Sequence, residues 1–206
     1  MRGVLTSNDT TGTLMASNYV DPNTKIACIF GTGCNAAYME TVGDIPKISN
    51  LGLPTDEKMA INCEYGAFDS FTHEHMKDVR TKYDEAIDLH SNKPHEQTYE
   101  KMIAGLYLGE IFRLVVIELI DEGVLFHGQN TYKIEKPYVF DTAFLSLIES
   151  DPTDELLTIT GLFMHFFGLE TTDEERKFLR KLAVMIGTRS ARLSACGIAA
   201  IVRKGN

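Results

Sequence analysis

The chain has 206 residues, 44% of them hydrophobic, with 20 basic and 29 acidic side chains and a formal charge of −9 at neutral pH. That length and apolar content suffice for one sizeable core and exclude a disordered chain; charges of both signs scattered along an acidic sequence leave no basic footprint for nucleic acid, which is not expected as a partner. No run approaches the roughly 18 uninterrupted apolar residues of a membrane span, no leader pattern opens the chain, and four cysteines without CxxC spacing (Cys28, Cys34, Cys63, Cys196) fit reduced thiols in a cytosolic protein.

In chain order, a strand-rich first third gives way to a helix-rich remainder. Residues 9–20 read as a short helix opened by Asn8 or Asp9, TKIACIF and NAAYME as strands flanking Gly31-Thr32-Gly33, and KMAINCEYG as a third strand. GDIPKISNLGLPTDEK and DLHSNKPHEQ read as surface loops. From residue 95, HEQTYEKMIAGLYLGEIFRLVVIELIDEG places Met102, Ile103, Leu106, Ile111, Phe112, Val116 and Leu119 on a broad apolar stripe, predicting one long core helix stopped by Gly123. DTAFLSLIES, TDELLTITGLFMHFFG and TTDEERKFLRKLAVMIGTRSARLSACGIAAIVRKG continue the helical pattern, the last opened by Thr171 or Thr172 with acids in its first turn. There is no internal repeat and no low-complexity tract.

Two features carry chemistry. Gly31-Thr32-Gly33 offers backbone N–H groups that can approach an anion and a hydroxyl that can donate to it, although the same residues make a plain hairpin turn. GTGCNA also satisfies the dinucleotide pattern G-x-G-x-x-G/A, but that fingerprint must open a helix, and AAYMETV reads as a returning strand. Asn8, Asp9, Asn35, Glu64, Gln97 and Glu100 fall at strand ends and helix starts, and such amide and carboxylate oxygens accept hydrogen bonds from neighbouring sugar hydroxyls. Each also has an ordinary reading: Asp9 as a cap, Asn35 as a turn residue, Gln97 and Glu100 as a solvated first helical turn. His73 and His75 in FTHEHMKD have no third ligand at suitable spacing, so no metal centre is expected.

NDTTGTLMA, CIFGTGCNAAYME, INCEYGAF, KPHEQTYEKMIAGLYLGEIFRLVV and IGTRSARLSACGIAAI stand in an order and spacing that resemble the hexokinases, most closely the fungal hexokinase and glucokinase branch, over essentially the whole chain. The resemblance implies an α/β chain of the actin-like ATPase (ribonuclease H-like) fold, with residues 1–206 part of the large C-terminal lobe. It implies ATP-dependent phosphorylation of a hexose such as glucose at its 6-hydroxyl, the first step of glycolysis, in the cytosol. Asp9 becomes the catalytic base; Asn8, Asp9, Asn35, Glu64, Gln97 and Glu100 bind the sugar. Thr32 with Gly31 and Gly33 forms a phosphate loop, and Gly105, Leu106, Thr142 and Ser146 lie near ATP, the last two four residues apart on one helix face. Magnesium arrives with ATP, held mainly by phosphates and water, with no protein metal ligands. Asp9 and Thr32 are then expected across one cleft, which accounts for their nearness in sequence.

The chain departs from the family pattern in two places. Pro94-His95-Glu96-Gln97 stands where Pro-Gly-Gln-Gln is common, and Tyr65 where animal members have Trp. The family's first phosphate loop, its small lobe and its adenosine loop have no counterpart among these residues. Phosphoryl transfer is therefore expected of a longer parent enzyme, the alternative being an inactive remnant with at most sugar- or partner-binding capacity and, through unpaired strand edges, a tendency to self-associate.

Overall fold

The structure is a computed structural model that describes residues 8–204. Helix α1 (Asp9–Val20) opens as anticipated: Asn8 Oδ1 accepts from the N–H groups of Thr10 (3.0 Å) and Thr11 (3.3 Å), satisfying two donors that the first turn leaves unpaired. Strands β1 (Ile26–Phe30), β2 (Cys34–Thr41) and β3 (Lys58–Asn62) form an antiparallel sheet in that order. Phe30 pairs with Cys34, so Gly31–Gly33 is the connecting turn. Because β2 returns directly on β1, no helix follows the glycines, and the dinucleotide reading of GTGCNA falls. Fully buried Leu14 of α1 packs on Ala27, Ala37, Met39 and Ala60, where the alanines let helix and sheet approach closely. The third strand is shorter than its apolar pattern predicts. It stops at Asn62, and Glu64 turns into the left-handed region (φ 49°), which no strand can include.

The helical remainder comprises α2 (Lys82–His90), α3 (Thr98–Ile103), α4 (Gly105–Asp121), α5 (Tyr132–Glu135), α6 (Thr142–Glu149), α7 (Leu157–Leu162) and α8 (Asp173–Lys204). Helix α2 is an addition to the sequence reading, and its signal is a capping box: Thr81 Oγ1 accepts from Asp84 N–H while the Asp84 carboxylate accepts from Thr81 N–H at 2.7 Å.

The single long helix expected from residue 95 is two helices. Ala104 is extended (ψ 149°) between α3 and α4, and the freed Gly105 N–H donates to Gly31 O at 2.8 Å. A contact to the glycine turn outweighs the local preference to continue the helix. At the far end Gly123 (φ 72°) stops α4 as predicted, with Gly123 N–H to Ile120 O and Val124 N–H to Leu119 O forming a Schellman closure. The pattern around TDELLTITGLFMHFFG also divides, into α7 and a π-helical turn, Phe163–Phe167, ended by Gly168 at φ 71°. Thr172 opens α8 by exchanging hydrogen bonds with Glu175; Gly205 lies outside the described residues.

The main core lies between α4, α6, α7 and α8. Phe140 stacks on Phe112, with centroids 4.5 Å apart, and on Phe167, and lies tilted against Phe163, in one cluster with Leu179, Ala183 and Ile186 of α8. Each such ring contributes roughly 1.5–3 kcal/mol by leaving water. Arg113 and Glu110, both 5% exposed, form a buried ion pair on α4 that also holds Tyr138 N–H at 2.7 Å.

Candidate active site

Three amides converge on one carboxylate oxygen. Asn62 Nδ2 (2.7 Å), Asn35 Nδ2 (3.0 Å) and Asn8 Nδ2 (3.4 Å) all donate to Glu64 Oε1. Asn35 Oδ1 in turn accepts from the N–H groups of Glu64 (2.9 Å) and Ala36 (2.7 Å), so it locks Glu64 from both backbone and side chain. The start of α1, the start of β2 and the segment after β3 are thereby tied at one point. Asn62 is a site residue that sequence reasoning missed. It is the last residue of β3, two before Glu64 in INCEYGAF, and an amide standing that close to the carboxylate was the available signal.

Asp9 follows Asn8 as the first residue of α1 and is exposed, with Oδ1 accepting from its neighbour's Thr10 N–H at 2.8 Å. On the other side of the sheet end, Glu100 Oε2 accepts from Cys34 N–H at 2.8 Å and lies so near Gly33 that a Cβ there would approach it to 2.6 Å. Burial, then the charges of Glu100 and Glu64, push the Cys34 thiol up to about 12. Cys34 is thus neutral at physiological pH and no nucleophile, while the two carboxylates flank it.

Gln97 adopts a left-handed conformation (φ 53°), and its buried Oε1 has no hydrogen-bond partner; Gly66, where a Cβ would come within 3.1 Å of that atom, makes room for it. A strained backbone beside an orphaned acceptor is the kind of cost a fold tolerates where a ligand supplies the missing donor. Gln97 and Glu100 line a cavity of about 420 Å³ with Leu106, Tyr107 and Tyr138.

Thr32, Gly105 and Thr142 line a neighbouring recess of about 310 Å³ that shares Leu106 and Tyr138 as a wall with the first. Gly31 opens on free space, whereas Gly105 packs directly on the Gly31 carbonyl. Thr142 is spent structurally, since its hydroxyl accepts from Gly109 N–H at 2.8 Å and donates to Gly105 O. Ser146 is exposed, one turn further along α6, and is not among the residues of the recess. Asp9 does not line it either. The link from Asp9 to the glycine turn runs through contacts, from Asn8 to Glu64 to Asn35 and on to Cys34, Glu100 and Gly33.

The histidines group differently from the sequence reading. His75 stacks on Phe68, while His73 meets Asp88 and His95, a set whose members are too far apart in sequence for spacing to reveal.

The sequence profile described as Hexokinase matches residues 25–206. Among curated proteins, Hexokinase-1 of Schizosaccharomyces pombe is 53% identical over 199 residues, covering 97% of this chain and 40% of that protein. Hexokinase of Emericella nidulans is 52% identical over 201 residues, with 97% and 40% covered. Among solved structures, a hexokinase from Schistosoma mansoni complexed with glucose superposes with a TM-score of 0.84 at 30% identity, covering 95% of this chain and 43% of that one. The chain has part of the actin-like ATPase fold of these structures and spans about 40% of the length of the curated relatives it matches.

Proposed function

The chain belongs to the hexokinase family, and on that footing we propose that residues 1–206, part of the large lobe, supply the catalytic base, sugar-holding side chains and one phosphate turn of an ATP-dependent hexose 6-phosphotransferase. The observation that carries this reading is the convergence of Asn8, Asn35 and Asn62 on Glu64 Oε1, with Asp9 beside Asn8. Three donors on one oxygen fix the carboxylate and leave Oε2 to accept from hydroxyls of glucose or a related hexose. A ring of fixed acceptors distinguishes a sugar from its deoxy analogues, because a missing hydroxyl leaves a protein acceptor unpaired. Gln97 and Glu100 complete that ring.

In the reaction, the sugar's O6 forms a bond to the γ-phosphorus as the bond from phosphorus to the β-phosphate oxygen breaks, releasing ADP. Asp9 takes the O6 proton. That proton leaves late in a loose transition state, so the position of the carboxylate matters more than its basicity. The Gly31–Gly33 turn, braced from behind by Gly105 and closed by Gly31 N–H on Gly33 O at 2.9 Å, offers the Thr32 and Gly33 N–H groups and the Thr32 hydroxyl to the phosphate oxygens. Magnesium, carried by ATP on phosphate oxygens and water, neutralises charge on the transferring group. Free thiols accord with the cytosol as the site of the reaction, and the open edges of β1 and β3 accord with self-association of the chain alone.

The test is a chimera in which this chain replaces the aligned segment of a full-length fungal hexokinase. Glucose-dependent ADP formation is expected, and Asp9→Asn should lower kcat by roughly 10²–10⁴ while leaving glucose KM within a few-fold. A folded, glucose-binding chimera without turnover, or an Asp9→Asn chimera as fast as its parent, would overturn the proposal.

A further inference from the structure

His73 Nε2, His95 Nδ1 and Asp88 Oδ2 form a triangle with edges of 3.2 Å between the histidines and 3.8 and 3.5 Å from the carboxylate to each. We propose that this triangle binds a divalent transition ion of the zinc class, with water in the fourth position. A tetrahedral ion bonded to imidazole nitrogen and carboxylate oxygen at about 2.0–2.2 Å holds its ligand atoms about 3.3–3.6 Å apart. The three atoms lie about 2.0 Å from their common in-plane centre, so an ion about 0.7 Å out of that plane stands about 2.2 Å from each, within tetrahedral range, and leaves its outer side to water.

The oxygen involved is an orphan. Asp88 Oδ1 takes Lys101 Nζ at 2.6 Å and His95 N–H at 3.0 Å, but Oδ2 is buried without a hydrogen-bond donor on a side chain only 3% exposed. Both histidines are also held in the left-handed region, His73 at φ 53° and His95 at φ 66°, where glycine would sit freely and other residues are strained. Outer contacts fix the rings and their segments. His73 Nδ1 lies 3.4 Å from Thr98 Oγ1, an oxygen able to accept from Nδ1–H when Nε2 binds the ion. Phe71 N–H donates to His95 O at 2.9 Å, and the Asp69 carboxylate takes the N–H groups of His75 and Met76, so the two histidine segments are clamped together before any ion arrives. His95, half exposed, is the way in.

Two cations share the neighbourhood, Lys101 on Oδ1 and Arg80 with Nη2 3.6 Å from Oδ2. Their charge weakens any cation site and selects for an ion whose bonds to imidazole are strong, such as Zn²⁺, over Mg²⁺ or Ca²⁺, which depend on oxygen ligands. A bound ion would join the segment after β3, helix α2 and the segment leading to Gln97. Ion binding does not rest on the proposed function.

The chain, freed of metal by chelator dialysis and kept reduced, is titrated with Zn²⁺ in competition with a chromophoric chelator, and its Co²⁺ form is read by visible absorption. One Zn²⁺ per chain, a Co²⁺ spectrum of tetrahedral nitrogen and oxygen ligation without thiolate bands, and a thermal midpoint raised by Zn²⁺ are expected. His95→Gly, which suits the backbone there, and His73→Gln should each weaken Zn²⁺ at least tenfold, and His75→Ala should leave it unchanged. No uptake, which would leave the triangle a plain hydrogen-bonded histidine pair, overturns the site, as does uptake undiminished in both variants or a thiolate-ligated Co²⁺ spectrum.

Discussion

The N–H of Gly105 donates to the carbonyl of Gly31 at 2.8 Å, and the Leu106 N–H points at the Thr32 carbonyl at 3.4 Å, so the first turn of α4 is capped by the glycine turn and not by a side chain. A Cβ on Gly105 would stand 2.9 Å from the Gly31 oxygen, and one on Gly109 would stand 2.2 Å from Phe140 O, backbone in both cases. Gly105→Ala is expected to cost about 1–3 kcal/mol and Gly109→Ala more, read as midpoint losses of roughly 2–4 °C per kcal/mol. The reverse ranking would mean that the turn between β1 and β2 is stiffer than the segment before α6.

Gly12 is the opposite case. It lies inside α1 with open space where a Cβ would go, so alanine there only restricts the unfolded chain and improves helix propensity. Gly12→Ala should raise stability by about 0.5–1 kcal/mol; a loss would show that α1 is held closer to its neighbours than this packing implies.

These glycines also show what a linear reading can reach. The Gly31–Gly33 turn and the Gly123 stop are local, set by a few neighbours, and were legible; the openings of α1 and α8 were legible to within one residue, Asn8 or Asp9 and Thr171 or Thr172, of which the structure uses Asn8 and Thr172. The break at Ala104 was not, because KMIAGLYL is a good helical sequence and the partner that interrupts it is Gly31, more than 70 residues earlier. Glu64 was legible as a sugar-binding candidate through its motif, but its dependence on Asn62 and Asn35 needed the register that pairs β2 with β3. Thr142 lines the recess with Thr32, and the commitment of its hydroxyl to Gly105 and Gly109 could be seen only in three dimensions.

Arg113 and Glu110 supply the wall residue Tyr138. Arg113 Nε and Nη2 bond both Glu110 oxygens at 2.8 and 2.6 Å, its Nη1 reaches the Glu135 carbonyl at 3.0 Å, and Glu110 Oε2 holds Tyr138 N–H. Arg113→Met keeps much of the volume but strands a buried carboxylate, with an expected loss of about 3–5 kcal/mol. Adding Glu110→Leu should recover most of it, though not all, because Tyr138 N–H and the Glu135 carbonyl remain unpaired. Denaturant midpoints of the two variants decide it: equal stabilities would mean the stranded charge is not the cost.

Asp69 makes stability depend on acid. Burial pushes its carboxyl up, but the N–H groups of His75 and Met76 and the Thr72 hydroxyl together pull harder, and it ends below its ordinary value. A carboxyl depressed by folding stabilises fully above its unfolded value of about 3.9 and loses that contribution as pH falls through the lower folded value. Asp69→Asn should therefore destabilise at neutral pH and flatten the fall in stability below about pH 4. Parallel curves for wild type and variant down to pH 2 would remove Asp69 from the acid response.

Asn62 is the sharpest test of the convergence on Glu64. Its side chain is exposed, and although Asn62 Oδ1 accepts from the buried Asn35 Nδ2 at 2.7 Å, that amide keeps Glu64 Oε1 as an acceptor at 3.0 Å, so Asn62→Ala should change stability by no more than about 1 kcal/mol. Yet it is the nearest of the three donors to Glu64 Oε1, at 2.7 Å, and its loss leaves the carboxylate held by Asn35 and the more distant Asn8. A carboxylate free to rotate must be ordered again by the sugar, at a cost of about 1 kcal/mol, or roughly fivefold in affinity. Glucose titration of the chimera with and without Asn62→Ala measures that factor; an unchanged affinity would mean that Asn35 alone sets the direction of Glu64.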